Sequence, residues 1–156
     1  MSLTDALRLL EPGIGHEIYR SDWIEMTQER VDRFAGATGD HQWIHVDPER
    51  AAHESPYGKT IAHGFFVLGL YPSFRGHAGG DEPPLPGVTR MINYGLNRVR
   101  FPHPVGADDR IRGVFRLLSA TDRKGALEGI EEYTVEIDGA DKPGCVAEVV
   151  RLMFFD

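Results

Sequence analysis

Asp40 and His45 are the two residues whose types and spacing best suit proton-transfer chemistry. Imidazole titrates near neutrality, and a carboxylate beside it can orient it or share a water molecule with it. On one continuous helix, five residues would turn the two side chains about 140° apart. Gly39, the β-branched residues on either side of His45 and the pair Asp47-Pro48 instead predict an irregular or extended segment that lets both side chains point to one place. The alternative is an ordinary Gly-Asp turn beside a solvated or structural histidine.

Helices on both sides must position this segment. Thr27 is a good N-cap, and Glu29 suits the first turn of a helix. Apolar and small residues then follow at helical spacing, which predicts about three turns ending near Gly39. Asp47 and Pro48 predict the N-cap and first residue of another short helix, so Asp47 is interpreted as structural.

The first part of the chain gives weaker patterns. Leu3, Ala6, Leu7 and Leu10 predict a short helix that Glu11-Pro12-Gly13 ends, and residues 1–15 are interpreted as an amino-terminal extension. Residues 16–26 are rich in β-branched and aromatic side chains, which predicts a first strand with an interruption at Ser21-Asp22.

Residues 61–71 are apolar on nearly every face, which predicts a buried helix. The segment is too short to cross a membrane, which takes about 20 apolar residues. We expect this helix to begin near His63-Gly64 and to bend or end around Pro72. Residues 76–87 contain many glycines and prolines and are predicted to form a mobile loop.

The residue pattern in the second half of the chain predicts a β-sheet. Four candidate strands cover residues 88–101, 110–120, 126–137 and 145–155, and Asp138-Gly139 is the strongest hairpin signal between them. One buried helix followed by four long antiparallel strands hides its apolar faces if the sheet wraps the helix. The predicted class is therefore α+β, with a single hot-dog fold over residues 1–156.

Composition excludes several functions. With 156 residues the chain fits one domain, and its net charge of −7 argues against general nucleic-acid binding and against an anionic membrane surface. The single cysteine, Cys145, cannot form an internal disulfide, which favours a reducing, cytoplasmic compartment. The early acid and short apolar run at the amino terminus do not match a secretory signal.

Zinc binding is rejected from the sequence. His41 and His45 have a spacing that suits zinc on a helix, but Gly39 and Pro48 oppose a helix there, and no third ligand stands at a diagnostic spacing. We therefore expect no metal.

Four ordered motifs resemble one known family. They are Phe34-Ala35-x-x-x-Gly39-Asp40, His45-Val46-Asp47-Pro48-Glu49-x-Ala51, Ile61-Ala62-His63-Gly64 and Val99-Arg100-Phe101-Pro102-x-Pro104-Val105. Together they resemble the MaoC-like (R)-specific enoyl-CoA hydratases, from about residue 20 to the end of the chain. Trp43 to Pro48 and Asn93-Tyr94-Gly95-Leu96-Asn97 resemble the nodulation-protein-N-like branch. Gln42-Trp43 replaces the Asn-Pro pair of many relatives, which leaves the Asp40–His45 spacing intact.

The resemblance implies that the chain hydrates trans-2-enoyl-CoA or dehydrates (R)-3-hydroxyacyl-CoA, without metal or redox cofactor. Asp40 and His45 would hold the water, with His45 the favoured base, although the residues leave the two roles open. The backbone N–H of Gly64 would stabilise the enolate oxygen of the thioester. The simpler reading of Gly64 is that it relieves crowding against the sheet.

Further residues are candidates for substrate binding. His63 lies beside the proposed donor, but it also suits a helix cap or a hydrogen bond to backbone. Asn93 and Asn97 suit amide contacts to the thioester or the catalytic pair, and equally turns. Arg98 and Arg100 share one face of a strand and suit the phosphates of coenzyme A, although surface salt bridges are the commoner reason for such a pattern.

Two other functions remain open on the same fold: an acyl-CoA thioesterase, and a non-catalytic subunit that binds acyl thioesters. Long edge strands are usually paired or covered, and relatives that this chain resembles form dimers with sites near the interface. We therefore expect a homodimer with two-fold symmetry.

Overall fold

The computed structural model describes residues 1–76 and 84–155. The helices are α1 (Leu3–Leu10), α2 (Gln28–Thr38), α3 (Trp43–Val46), α4 (Pro48–Glu54), α5 (Gly64–Gly69) and α6 (Tyr71–Phe74). The strands are β1 (Glu17–Arg20), β2 (Ile24–Glu25), β3 (Val88–Arg100), β4 (Arg110–Arg123), β5 (Ala126–Ile137) and β6 (Cys145–Phe155). Residues 77–83, most of the predicted loop, lie outside the described residues.

Local sequence signals set the helix ends as predicted. The Thr27 hydroxyl accepts from the N–H of Arg30, and α2 ends at Gly39 in the left-handed region, with φ 79°. Asp47 caps α4 through the N–H of Arg50, directly before Pro48. The predicted break in the first strand is confirmed, because β1 and β2 are separate.

The six strands form one antiparallel sheet in the order β1, β4, β5, β6, β3, with β2 also beside β4. A two-residue turn, Lys124-Gly125, joins β4 to β5, and both residues have positive φ, as a type I′ hairpin requires. The tightest hairpin is therefore here, because a seven-residue connection containing Asp138-Gly139 separates β5 from β6. The α+β hot-dog prediction is confirmed: one antiparallel sheet packs on a central helix.

The central helix consists of α5 and α6, with the break before Pro72 where the sequence predicted it. Its buried side chains Val67, Tyr71 and Phe74 pack with Phe115 and Tyr133 of the sheet. The Tyr133 hydroxyl also donates to the Val67 carbonyl at 3.0 Å. The prediction of burial on nearly every face is wrong at Phe65, which is 74% exposed because it points away from this core.

The amino-terminal helix α1 covers a second apolar cluster. Ala6 is fully buried there against Leu127 and Met153. Leu127 lies on the same face of β5 as Tyr133, because alternate strand residues share a face. The segment predicted as an extension therefore packs on the same side of the sheet as the central helix. None of the helices in residues 1–76 and 84–155 is long and apolar enough to span a membrane.

Candidate active site

The end of α2 places Asp40. Gly39 donates its N–H to the Ala35 carbonyl at 2.8 Å, and the chain then leaves the helix. The Asp40 side chain is 56% exposed, and its Oδ1 accepts from the N–H of Gln42 at 3.4 Å. A glycine-terminated helix therefore presents a carboxylate that solvent can reach.

His45 lies in α3, so the prediction of an irregular or extended segment is wrong for Trp43–Val46. This single turn forms despite its β-branched residues because tertiary contacts hold it: the N–H of Ile61 donates to the Ile44 carbonyl at 3.1 Å. Asp40 lies outside α3, and the two side chains do not share one continuous helix.

The His45 ring is 9% exposed and is oriented by a backbone carbonyl. Its Nδ1 lies 2.7 Å from the carbonyl oxygen of Ile61. A carbonyl only accepts, so Nδ1 carries the proton, and Nε2 of the neutral ring is left with its lone pair. This tautomer suits a general base that acts through Nε2.

His63 is the N-cap residue of α5 and is only 4% exposed. Its Nε2–H donates to the backbone oxygen of Asp40 at 3.0 Å, and its ring stacks on His45 with centroids 3.8 Å apart. Its Nδ1 is buried and has no hydrogen-bond partner among the described residues. His63 therefore contacts both members of the predicted pair. Neither contact involves substrate, so its predicted role in substrate binding stays a prediction.

A carboxylate oxygen of Asp40 and one ring nitrogen each of His45 and His63 all lie within 4.8 Å of one another. Hydrogen bonds to water are about 2.8 Å long, so acceptors up to about 5.5 Å apart can share one water molecule. The structure thus brings the residues predicted from sequence to one place, at separations that one water molecule can bridge.

The same three residues form a possible set of metal ligands. Metal–nitrogen bonds of about 2.0 Å need ring nitrogens whose lone pairs converge on one point. The two imidazoles are stacked with centroids 3.8 Å apart and planes only 24° from parallel, so the planes that contain their lone pairs do not meet close to both rings. His41 is exposed and lies outside α3. The absence of a metal stays a prediction.

Gly64 begins α5, and its N–H has no intramolecular acceptor in the described part of the chain, as expected for a first helical residue. A Cβ at this position would come 3.0 Å from the ring of Phe101. Crowding against Phe101, the residue that follows β3, is therefore one reason for glycine here, close to what the simpler reading expected. The free N–H remains compatible with the proposed donor role.

Among the described residues, no hydrogen bond joins Asn93 or Asn97 to Asp40 or His45. Asn93 lines an apolar cavity with Leu68 and Tyr71 of the central helix. Asn97 is exposed where the β3–β6 register shifts. Their predicted contacts to the thioester stay predictions.

Arg98 and Arg100 lie on the face of β3 opposite Val99, which packs against the core. They line a cavity of about 300 Å³ together with Glu132 and Glu148. The predicted sharing of one face is correct, and this face points away from the central helix. Binding of coenzyme A phosphates there stays a prediction.

Two residues that support the His45 segment were not identified from sequence: Gln28, which contacts it directly, and Thr60, which contacts Gln28. The Gln28 amide donates to the backbone oxygen of His45 at 2.7 Å and accepts from the Thr60 hydroxyl. Thr60 directly precedes the Ile61-Ala62-His63-Gly64 motif, which is the one signal that pointed towards it. Nothing in the sequence around Gln28 indicated this role, because a glutamine in the first turn of α2 is already accounted for by the helix.

Comparison with solved structures supports the fold. The (R)-hydratase from A. caviae involved in PHA biosynthesis superposes with a TM-score of 0.70 at 21% identity, covering 88% of this chain and 94% of that one. The C-terminally truncated HadBC (3R-hydroxyacyl-ACP dehydratase) complex from Mycobacterium tuberculosis gives a TM-score of 0.65 at 21% identity, covering 88% of this chain and 95% of the matched chain.

Sequence comparison shows the family. The 3-hydroxyacyl-thioester dehydratase Z of Mycobacterium tuberculosis (strain H37Rv) is 47% identical over 142 residues, which cover 90% of this chain and 91% of that protein. Nodulation protein N of Rhizobium leguminosarum bv. viciae is 46% identical over 145 residues, covering 92% and 88%. The model of the MaoC like domain matches residues 10–138. These residues include the whole Asp40, His45 and His63 cluster, and the chain belongs to the MaoC-like dehydratase family.

Proposed function

We propose that this chain is a hydro-lyase that adds water to trans-2-enoyl thioesters and removes it from (R)-3-hydroxyacyl thioesters. The observation that carries the proposal is the meeting of the Asp40 carboxylate with an imidazole of fixed tautomer. A relative at 47% identity is named a 3-hydroxyacyl-thioester dehydratase, which supports this substrate class. The preference for coenzyme A thioesters and for the (R) product belongs to the same proposal.

The hydration step needs an activated water. Asp40 and His45 hold one water molecule between them, and His45 Nε2 accepts its proton as the oxygen bonds to the β-carbon of the enoyl group. Asp40 orients the water and stabilises the positive charge that develops on the imidazole. The His45 ring is held by the Ile61 carbonyl throughout, so its Nε2 stays directed at the water.

The electrons of the double bond move towards the thioester carbonyl, which becomes an enolate. The N–H of Gly64 donates to the enolate oxygen. The proton taken from water returns to the α-carbon, with Asp40 helping its transfer, so the elements of water add across the double bond. Dehydration follows the same steps in reverse. Neither direction requires a metal or a redox cofactor.

The acyl chain has a natural place beside the central helix. An apolar cavity of about 300 Å³ lies between this helix and β3, lined by Leu68, Tyr71, Pro72 and Leu96 among others. Leu68 follows Gly64 by about one helical turn, so an acyl chain whose carbonyl contacts the Gly64 N–H can extend along the helix into this cavity.

The proposed enzyme is a homodimer. β3 is an edge strand, and it exposes the apolar side chains Ile92, Tyr94 and Leu96. Phe65 and Phe101 add exposed apolar area near Gly64. Exposed apolar residues along an unpaired edge favour association. The HadBC complex shows that chains of this fold also pair with a different partner. A cytoplasmic location is part of the proposal and agrees with a single, buried cysteine.

The test is an assay of crotonyl-CoA hydration. Loss of enoyl absorbance measures the rate, and the configuration of the 3-hydroxy product is then determined. We expect the wild type to form (R)-3-hydroxybutyryl-CoA. Asp40→Asn and His45→Asn should each lower kcat by about 10²–10⁴-fold, the usual contribution of a general acid or base.

Two outcomes would contradict the proposal. Release of free thiol without loss of the double bond would identify a thioesterase. Unchanged turnover in both variants, with fold verified by circular dichroism, would remove the catalytic assignment of the pair. Thr89→Val is the control and should leave kcat unchanged, because Thr89 lies on β3 and, in the described part of the chain, its exposed hydroxyl bonds only the Phe154 carbonyl.

A further inference from the structure

The His45 segment is held by a series of side-chain hydrogen bonds, from Thr60 through Gln28, that takes no part in the proposed steps. Gln28 is the first residue of α2, and its Nε2 donates to the His45 carbonyl at 2.7 Å and to Asp32 Oδ1 at 2.8 Å. Its Oε1 accepts from the hydroxyl of Thr60. Both N–H donors and the carbonyl of one amide are thereby used, which fixes the orientation of the Gln28 side chain.

Thr60 is placed for this contact and not for contact with substrate. It is only 2% exposed, and its backbone oxygen accepts from the N–H of Ala107 at 2.9 Å. A buried hydroxyl without a partner is costly, so the bond to Gln28 is worth more than a surface hydrogen bond of the same length.

The residue after Thr60 holds the other side of His45. The Ile61 carbonyl accepts from Nδ1 of the ring, and the Ile61 N–H donates to the Ile44 carbonyl. His45 is therefore fixed at two points, its backbone oxygen through Gln28 and its ring through Ile61. Thr60 joins the two, since it bonds Gln28 through its side chain and precedes Ile61 in the chain.

We propose that Gln28 and Thr60 are positioning residues that keep the His45 ring where it can accept a proton from the water it activates. The inference rests on the proposed function, since it presumes that His45 is the base. Neither residue touches substrate, so they act on the chemical step and leave binding unchanged. A displacement of about 1 Å at a catalytic group costs as much as 10²-fold in rate.

The kinetic test uses Thr60→Val, Gln28→Leu and the conservative Thr60→Ser, with crotonyl-CoA as the probe. We expect Thr60→Val and Gln28→Leu to lower kcat about 10- to 100-fold and to change KM less than about twofold. Thr60→Ser keeps the hydroxyl and should recover kcat to within about threefold of wild type. The double variant should be no slower than the slower single variant, because the two side chains act as one unit.

An NMR measurement distinguishes a role in positioning His45 from a role in the stability of the whole fold. The hydrogen-bonded Nδ1–H of His45 should give a resolved imidazole proton signal by NMR, assigned by its loss in His45→Asn. Thr60→Val and Gln28→Leu should broaden or remove this signal, whereas Thr60→Ser and the control Thr89→Val should keep it. A lowered Tm with unchanged kcat and unchanged signal would overturn the proposal. If the wild type does not hydrate crotonyl-CoA, the proposed function fails, and the signal still decides whether Gln28 and Thr60 position His45.

Discussion

The two imidazoles of the site have different partners and therefore different uses. The Nδ1–H of His45 bonds the Ile61 carbonyl, which leaves Nε2 for chemistry. The Nε2–H of His63 donates to the backbone oxygen of Asp40 and so holds the backbone there. The same Nε2 is 3.9 Å from Asp40 Oδ2, so it makes no close contact with the carboxylate. One histidine is thus suited to move a proton, and the other to keep the acid in place.

Metal removal tests the site at the residue scale. We expect dialysis against EDTA to leave kcat on crotonyl-CoA unchanged, because the stacked rings of His45 and His63 do not converge on one point. Elemental analysis of the purified protein should find less than about 0.1 metal ion per chain. Loss of activity with EDTA, restored by a single divalent ion, would contradict this and would make Asp40, His45 and His63 a ligand set.

At the scale of elements, the start of the central helix lies close to Phe101, the residue that follows β3. Gly64→Ala places a Cβ 3.0 Å from the ring of Phe101. Phe101 is 41% exposed and its ring has to shift to admit the methyl group, so we expect the substitution to lower the free energy of unfolding by about 1 kcal/mol, the low end of the cost of overpacking. Chemical denaturation measures the change.

Two companion variants make this measurement specific. Gly36→Ala lies inside α2 with nothing within 4 Å of the new Cβ, and should stabilise by up to about 1 kcal/mol through helix propensity. Phe101→Leu combined with Gly64→Ala should recover most of the lost stability. Equal losses in the single and double variants would mean that Phe101 is not the obstacle.

The elements differ in how far the sequence determined them. Thr27, Gly39 and Asp47-Pro48 marked helix ends through local capping, and the structure uses each as predicted. The turn Trp43–Val46 was missed because contacts to Ile61, which is distant in the chain, stabilise it. The bond between Gln28 and Thr60 joins residues 32 positions apart, and no local pattern announces such a pair. Residue types predicted Asp40 and His45 as the candidate pair, whereas the hydrogen bonds that orient His45 could be found only from the fold.

The whole molecule contains a buried charged cluster on the helix side of the sheet. Glu131 and Arg151 are each 2% exposed and form an ion pair, and Glu131 also accepts from the Tyr71 hydroxyl at 2.7 Å. Burial raises the pKa of the Glu131 carboxyl, but the charges of Arg151 and Arg75 outweigh it and hold that pKa below its ordinary value of 4.5. The cluster joins α6, β5 and β6.

Glu131→Gln tests this cluster by its pH dependence. Removing one partner of a buried ion pair costs about 3–5 kcal/mol, so the variant should be less stable by that order at pH 7. Because the folded-state pKa is depressed, the unfolded chain binds its proton first as pH falls. The stabilisation is therefore complete above about pH 4.5 and is lost as pH falls through the folded-state pKa.

Urea unfolding at pH 7 and at pH values below 4.5 gives the comparison. The stability gap between wild type and Glu131→Gln should narrow with acid. Glu132→Gln is the matched control, since Glu132 is on the opposite face of β5 with a side chain 36% exposed, and should change stability by less than about 0.5 kcal/mol. A gap that is constant with pH would refute the charge assignment.

Assembly is the second test at this scale. Leu96→Asp puts a charge on the β3 edge, where the leucine is 45% exposed, and should raise the dimer Kd at least tenfold as measured by sedimentation equilibrium. Leu9→Asp, at a leucine 56% exposed on α1, should leave the Kd unchanged. A wild type that sediments as a monomer at micromolar concentration would end the homodimer proposal.

The five residues from Thr60 to Gly64 meet every part of the site in turn. They supply a hydroxyl for Gln28, a carbonyl for the His45 ring, a histidine for the Asp40 backbone and the unpaired N–H of Gly64. Because one short stretch makes all these contacts, a displacement of it would disturb the Gln28 amide, the His45 ring and the Asp40 backbone together. The residues that line the cavity between the central helix and β3 all lie outside this stretch, so substitutions there can change the shape of the cavity while these contacts remain.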